Sequence, residues 1–337
     1  MRIGAIFTGG TIGSCIDAEG YISVKSDYKL IEMYYDKYDF AHNTEFVTVQ
    51  PYSILSENLD FDKVSSLAEC VDTMADDGTV DGILIMHGTD TLQYSAGFLH
   101  FMLKNKNVPV VLVSSAYVLD DPRANGLDNF KLALDFIEQY STPGVFVSYM
   151  NSNGRKMIHR ADRILAHDTF SSDVFSVNNE CYAELTEGCW RLSDSDRRLS
   201  DSEKKLSGCG GGLFDGSRMV SDKKDSACTV NRNYLIQKKV LFVHIYPGMT
   251  SAMITDDYDA ILLESYHSGT GPVDGVLADI AKKARDIGIQ VYMVGNSAYT
   301  TQYETVKAYE KLGIVLLKDW APIAAYCKLC LGEIEEL

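Results

Sequence analysis

The sequence predicts an α/β protein built as two α/β domains, a larger N-terminal one on a mostly parallel sheet and a smaller C-terminal one. Three observations lead there. Short β-rich apolar runs recur along the chain, segments of helical periodicity separate them, and a long polar stretch divides the alternation in two. The runs are too continuously apolar for a sheet with one wet face, so helices must cover both faces, as they do in parallel sheets.

Taken in order, "RIGAIF" (2–7) reads as the first strand. Residues 62–76, "DKVSSLAECVDTMAD", set Val64, Leu67, Ala68, Val71 and Met74 at helical spacing. Strands follow at "GILIM" (82–86) and "VPVVLVS" (108–114), then a helix at "DNFKLALDFIEQY" (128–140) and a strand at "GVFVSY" (144–149). Residues 191–231 are rich in Ser, Asp, Lys and Gly and carry no periodic apolar pattern, the composition of an exposed polar linker. Alternation resumes with strands at 240–246, 260–265 and 289–295, a helix near 273–286 and two more helical stretches. The predicted domains are therefore 1–190 and 232–337, joined by 191–231, with no internal repeat.

Composition narrows the function classes. The 337 residues are 46% hydrophobic, enough for full cores, and carry a formal net charge of −16. So acidic a surface repels phosphate backbones, which excludes nucleic acid as the expected partner. The N-terminus lacks a charged region followed by an apolar core and a small-residue cleavage site. No apolar run approaches the ~20 residues that span a bilayer. A soluble cytoplasmic protein with no membrane partner is expected. Of the eight cysteines only Cys327 and Cys330 form a C-x-x-C pair, without two further ligands at zinc spacing, so no metal is expected. They are read as buried reduced thiols on a C-terminal helix. Cys209 and Cys228 could pair, but would stay reduced in a reducing compartment.

The chemistry gathers at two strand ends, where ligands of open parallel sheets sit. One is "IFTGGTIGS" (6–14); the other is "MHGTDT" (86–91). Gly9, Gly10 and Gly13 miss the dinucleotide spacing and no Walker lysine follows, so neither a phosphate cradle nor a cofactor is expected. A hydroxyl at each strand end, with Asp90 beside one, suits covalent acyl transfer or the binding of a substrate carboxylate. The plain alternative for either loop is a tight turn with a capping threonine.

Together "TGGTI" and "HGTDT", some 80 residues apart, closely resemble the two signature motifs of the bacterial-type L-asparaginase family. Further similarities follow in family order: "EGYIS" with Tyr21, "LSENLDFDKV" with Ser56, "RANG" (123–126), and "HIYPGM" (244–249), which resembles the cytoplasmic type I branch. The resemblance covers the chain except for about 191–231. It implies hydrolysis of a side-chain amide, that of L-asparagine or a related small amino-acid substrate, to acid and ammonia through an acyl-enzyme. It further implies Thr11 as nucleophile, assisted by Tyr21, and Ser56 and Asp90 holding the substrate's α-carboxylate and α-ammonium. Thr89 would position or activate water, its neighbouring amide would help hold the oxyanion, and Glu57 and Gly88 would complete the binding loops. A homodimer or homotetramer with sites near the interface is implied as well.

Two positions depart from the family pattern. Glu57 follows Ser56 where the family has a neutral polar residue, adding a carboxylate beside an anionic substrate group. The family's lysine in R-x-x-R-x-x-K falls on Ala166 of "RADRILAHD", in a register set by "DVFSVN" (173–178). His167 and Lys156 are nearby substitutes, although strand alternation would turn His167 to the opposite face. The alternative reading is a divergent member without that lysine, acting on another amide or acyl substrate or binding an amino acid with little hydrolysis.

Overall fold

The computed structural model describes residues 1–16, 22–24, 29–38, 43–193, 234–296 and 303–332. It is a mixed α/β structure with two main sheets, as the apolar pattern predicts. The larger sheet has eight strands in the order β10-β9-β8-β7-β6-β5-β1-β4. Its parallel part consists of β1 (Arg2–Phe7), β4 (Glu45–Val49), β5 (Gly82–Met86), β6 (Pro109–Val113) and β7 (Gly144–Met150). Every residue of β5 and β6 is buried, which is why both read as unbroken apolar runs. Burial of a side chain such as Ile83, Leu84 or Ile85, all fully enclosed, contributes about 1.5–3 kcal/mol.

The sheet continues antiparallel through β8 (Lys156–Arg160), β9 (Ala183–Thr186) and β10 (Cys189–Leu192), an edge the sequence pattern did not reveal. The smaller sheet is all parallel in chain order: β11 (Val240–His244), β12 (Ala260–Glu264), β13 (Gln290–Asn296) and β14 (Ile314–Lys318). A short hairpin pairs β2 (Ser14–Ile16) with β3 (Ile22–Val24). The expected linker falls almost wholly on 194–233, outside the described residues, as do Cys209 and Cys228.

Helices cover both faces of the large sheet. Helix α1 spans Lys29–Lys37. Helix α2 (Phe61–Asp76) buries Val64, Leu67, Ala68, Val71 and Met74, the stripe its spacing predicts. Asp60 caps it, accepting from the Lys63 amide at 2.9 Å. Helix α3 (Leu92–Met102) follows β5, and α4 (Gly126–Tyr140) follows β6. Asn125 of "RANG" ties two strand ends: its Oδ1 accepts from the Ala116 amide and its Nδ2 donates to the Met150 carbonyl, both at 2.8 Å.

The second sheet carries α5 (Val276–Asp286), α6 (Val306–Leu312) and α7 (Pro322–Cys330). Helix α7 packs back onto α3, with Tyr326 against Tyr94 and Phe98 at ring separations of 5.9 and 6.3 Å. Gly97 permits that approach, since a methyl group there would meet Cys327 Sγ at 3.0 Å. Cys327 and Cys330 are buried free thiols on α7; burial pushes Cys330 up to about 12 and Cys327 well above its ordinary value. Among the described residues no helix is long and apolar enough to cross a membrane, and no three His, Cys, Asp or Glu side chains group as metal ligands.

Strand order decides where a pocket can form. The chain moves from β1 outward to β4, then crosses to β5 on the other side of β1. Loops leaving the carboxyl ends of β1 and β5 therefore flank the point where the winding direction changes, the usual ligand position in such sheets.

Candidate active site

Three loops meet at that point. Beyond β1 the chain runs through Thr8, Gly9 and Gly10 into a one-turn helix, Thr11–Gly13. Thr8 is buried and anchors the loop, donating from its amide and its hydroxyl to the Met86 carbonyl at 3.1 and 2.9 Å. A second loop reaches in after β4. The Gly10 amide donates to the Ile54 carbonyl at 2.8 Å, and the Ile54 amide donates to Thr8 O at 3.0 Å. This brings Ser56, 5% exposed, to the same place. The third loop is His87–Thr91, between β5 and α3.

Glycine is required where the loops touch. Gly10 has φ of +74°, and a Cβ on it would lie 2.3 Å from the Gly88 Cα and 2.4 Å from the Gly88 amide nitrogen. A Cβ on Gly88 would in turn lie 2.4 Å from Ser56 Oγ. Gly10, Gly88 and Ser56 line one narrow recess together with Thr8, Tyr52, Ile54 and His87.

Neither Thr11 nor Thr91 caps a helix with its side chain. The hydroxyl of Thr11 makes no capping bond to its one-turn helix, whose N-cap is Gly10. Thr91 is the N-cap of α3, yet its hydroxyl donates to the Ser56 carbonyl at 2.9 Å and so ties the second loop to the third. The capping alternative is therefore not what these hydroxyls do. Thr11 and Thr89 are half-exposed at the strand ends, while Asp90 and Glu57 are exposed. The Gln93 side chain donates to the Asp90 carbonyl at 3.0 Å and holds the loop as α3 begins.

His87 is 2% exposed and supports the third loop from below. Its Nδ1 lies 2.8 Å from the Gly88 carbonyl, which can only accept, so Nδ1 carries the proton. Nε2 then accepts from the Ser95 hydroxyl at 2.8 Å. Burial lowers the His87 pKa against the raising effect of the Gly88 carbonyl, which keeps the ring neutral.

The structure thus brings Thr11, Ser56, Glu57, Gly88, Thr89 and Asp90 to one end of the sheet, on three loops that bond or abut one another. Tyr21 lies outside the described residues. Ala166 is exposed, in a stretch that is neither helix nor strand. Strand alternation does not orient His167: Ile164 pairs with Ser176 in an isolated bridge, and residues 165–168 form no strand. His167 is half-buried, and that burial lowers its pKa against the opposing charges of Asp90, Asp173 and Asp168. The sequence pattern assigns no role to Thr8, His87, Thr91, Gln93 or Ser95. His87 and Thr91 stand inside the quoted motif, but their bonds to Gly88, Ser95 and Ser56 depend on how the loops fold together.

The comparisons agree with this fold. The chain is 27% identical over its full length to a glutamyl-tRNA(Gln) amidotransferase subunit of Methanobrevibacter smithii, spanning 73% of that protein. It is 25% identical to the L-asparaginase of Thermococcus kodakarensis, covering 100% of this chain and 94% of the relative. The solved structure of the thermostable Thermococcus kodakarensis L-asparaginase superposes with a TM-score of 0.73 over 99% of this chain and 93% of its own, at 24% identity. That of L-asparaginase I from Vibrio cholerae gives 0.72 over 100% and 93%, at 22% identity. The model of the asparaginase N-terminal region matches residues 2–196, more than half of the 337 residues, and the chain belongs to the asparaginase family.

Proposed function

We propose that this chain hydrolyses the side-chain amide of L-asparagine, or of a related small amino acid, through an ester on Thr11. The Thr11 oxygen adds to the amide carbon, the C–N bond breaks, and the hydroxyl proton leaves with the nitrogen as ammonia. Water then cleaves the ester and restores the hydroxyl. Ser56 binds the α-carboxylate and Asp90 the α-ammonium, with Glu57 beside the same cation. Thr89 orients the water, Tyr21 assists Thr11, and backbone amides of the glycine-rich strand ends stabilise the oxyanion. One observation carries the reading: Gly10, Gly88 and Ser56 abut so closely that a single methyl group would separate the three loops bearing these residues. We extend it to a cytoplasmic homodimer or homotetramer of the type I kind, folded as two domains near 1–190 and 232–337, with Ala166 at the family's lysine position.

Ammonia release from asparagine, measured beside the thermal shift produced by aspartate, tests the proposal. Steady ammonia release supports it. Stabilisation by aspartate without ammonia supports the divergent reading, an amino-acid binder or an enzyme for another amide. Neither response removes the site from consideration. A second reading rests on the relatives named as amidotransferase subunits: the chain would free ammonia for a partner protein to use. Ammonia release that begins only when such a partner is added would favour it.

A further inference from the structure

Every backbone carbonyl from Gly88 to Thr91 is held by the protein, while the amides that follow three of them are left open. His87 Nδ1–H donates to the Gly88 carbonyl at 2.8 Å, the Leu92 amide to the Thr89 carbonyl at 3.4 Å, and the Gln93 side chain to the Asp90 carbonyl at 3.0 Å. The Thr91 carbonyl accepts from the Tyr94 and Ser95 amides, both at 3.1 Å. The amides of Thr89, Asp90 and Thr91 donate to no group among the described residues. These peptides are trans, so each carbonyl points opposite to the amide that follows it. Holding the Gly88 carbonyl down on His87 therefore turns the Thr89 amide away from the buried ring, to the outer side of the loop.

The bond to Gly88 differs from the others. The Thr89 and Thr91 carbonyls are bonded by the backbone of the first turn of α3, as a helix start requires. Gly88 stands before that start, and its partner is a side chain. It must be glycine, because a Cβ would lie 2.4 Å from Ser56 Oγ, and glycine restrains the peptide that follows it less than other residues do. The restraint comes from His87 instead. The ring is fixed at its far end, where Nε2 accepts from the hydroxyl of Ser95 at 2.8 Å. Ser95 is fully buried on α3, so Ser95, His87 and Gly88 form a buried chain from the helix to the loop, with both ring nitrogens partnered.

We propose that His87, held by Ser95, is the positioning residue that aims the Thr89 amide at the oxyanion formed when Thr11 adds to the substrate's amide carbon. The proposal rests on the amide-hydrolase reading and names the group that orients one of its oxyanion donors. His87 touches no reacting atom: at 2% exposure it works through the Gly88–Thr89 peptide. No proton leaves the ring in either half-reaction. Nδ1–H stays on the Gly88 carbonyl while negative charge builds on the substrate oxygen and decays. A donor aimed in advance needs no reorganisation at the moment the charge develops. Without the imidazole the Gly88–Thr89 peptide is free to tilt, and a misplacement of about 1 Å costs about 10²-fold in rate.

The experiment measures kcat and KM for asparagine in the parent, His87→Asn and His87→Gln, with their melting temperatures. His87→Asn puts a side-chain amide where Nδ1 stands and keeps a donor for Gly88. His87→Gln reaches the Nε2 position, keeps a partner for Ser95 and leaves Gly88 without a donor. In His87→Gln kcat should drop at least about thirtyfold with KM within about twofold of the parent, since outright loss of an oxyanion donor costs about 10²–10³. His87→Asn should keep at least about ten times the kcat of His87→Gln. A packing role alone predicts the reverse order, because His87→Asn leaves the larger cavity. If His87→Gln does not fold, His87→Leu, which fills the site without a donor, takes its place under the same expectation. A donor-free variant as fast as the parent, or one that falls no further than His87→Asn, overturns the proposal and leaves the hydrolase reading standing. A parent that releases no ammonia from any amide sinks the hydrolase reading instead. The aim of the amide is then decided by the Thr89 amide proton resonance on adding aspartate. A shift in the parent and in His87→Asn that the donor-free variant lacks upholds it. The same shift in all three, or none in the parent, overturns it.

Discussion

A methyl group on Gly10 would stand 2.3 Å from the Cα of Gly88, so the loops after β1 and β5 touch backbone to backbone. Gly154 provides the comparison: its φ is +80°, close to the +74° of Gly10, but nothing lies within 4 Å of its would-be Cβ. Alanine at either position meets a positive φ at a cost of roughly 1–3 kcal/mol, and Gly10, with ψ of −176°, lies in a region essentially reserved for glycine. Only Gly10→Ala must also force two main chains apart, adding about 1–3 kcal/mol. Urea unfolding should therefore rank Gly10→Ala clearly below Gly154→Ala, and only the former should lose aspartate binding. Equal stabilities would mean that the two loops part at little cost.

Thr11→Val preserves shape and removes the hydroxyl. Thr11 is half-exposed and caps nothing, so the melting temperature should move by no more than about 2 °C. Ammonia release should fall to background. Retained turnover would assign the nucleophile to another residue, and an unfolded variant would make Thr11 structural.

Asp90 is exposed at the start of α3, where its carboxylate is free to meet a cationic substrate group. Asp90→Asn should weaken aspartate binding by about 1–3 kcal/mol, the range for a hydrogen bond to a charged group. Calorimetry that gives the parent affinity would remove Asp90 from the binding site.

Acid should destabilise the fold through a histidine outside the pocket. His159 on β8 is 1% exposed, its Nδ1 lies 2.7 Å from Ser176 Oγ, and its buried Nε2 has no partner among the described residues. Burial pushes its pKa down to about 4, and the Arg155 cation adds to the shift. The unfolded chain, with an imidazole near 6.5, binds the proton first as pH falls. Stability is therefore full above about pH 6.5 and lost progressively toward about pH 4. His159→Asn keeps a partner for Ser176 and cannot titrate. Its melting temperature should fall less than that of the parent between about pH 7 and about pH 5. Parallel curves would assign the acid sensitivity elsewhere, with buried His87 next in line.

Much of this protein was decided locally, and the amino-acid order alone carries those parts. Fully buried strands require continuous apolar runs, so β1, β5, β6 and β7 announce themselves within a residue or two, as does the i, i+3, i+4 stripe of α2. The two glycine–threonine loops were legible for the same reason: a positive φ and a backbone approach of this kind tolerate little but glycine. Other features depend on partners distant in sequence. Strands β8–β10, at one end of the large sheet, are only four or five residues long, and pairing rather than periodicity makes them strands. Thr91 turns its hydroxyl from a helix cap to the Ser56 carbonyl because another loop is there to receive it. His167 escapes the strand rule because residues 165–168 never join the sheet, and period-two alternation applies only within a strand. Sequence thus determined the elements and the chemical groups at their ends, and the packing of three loops decided which of those groups meet.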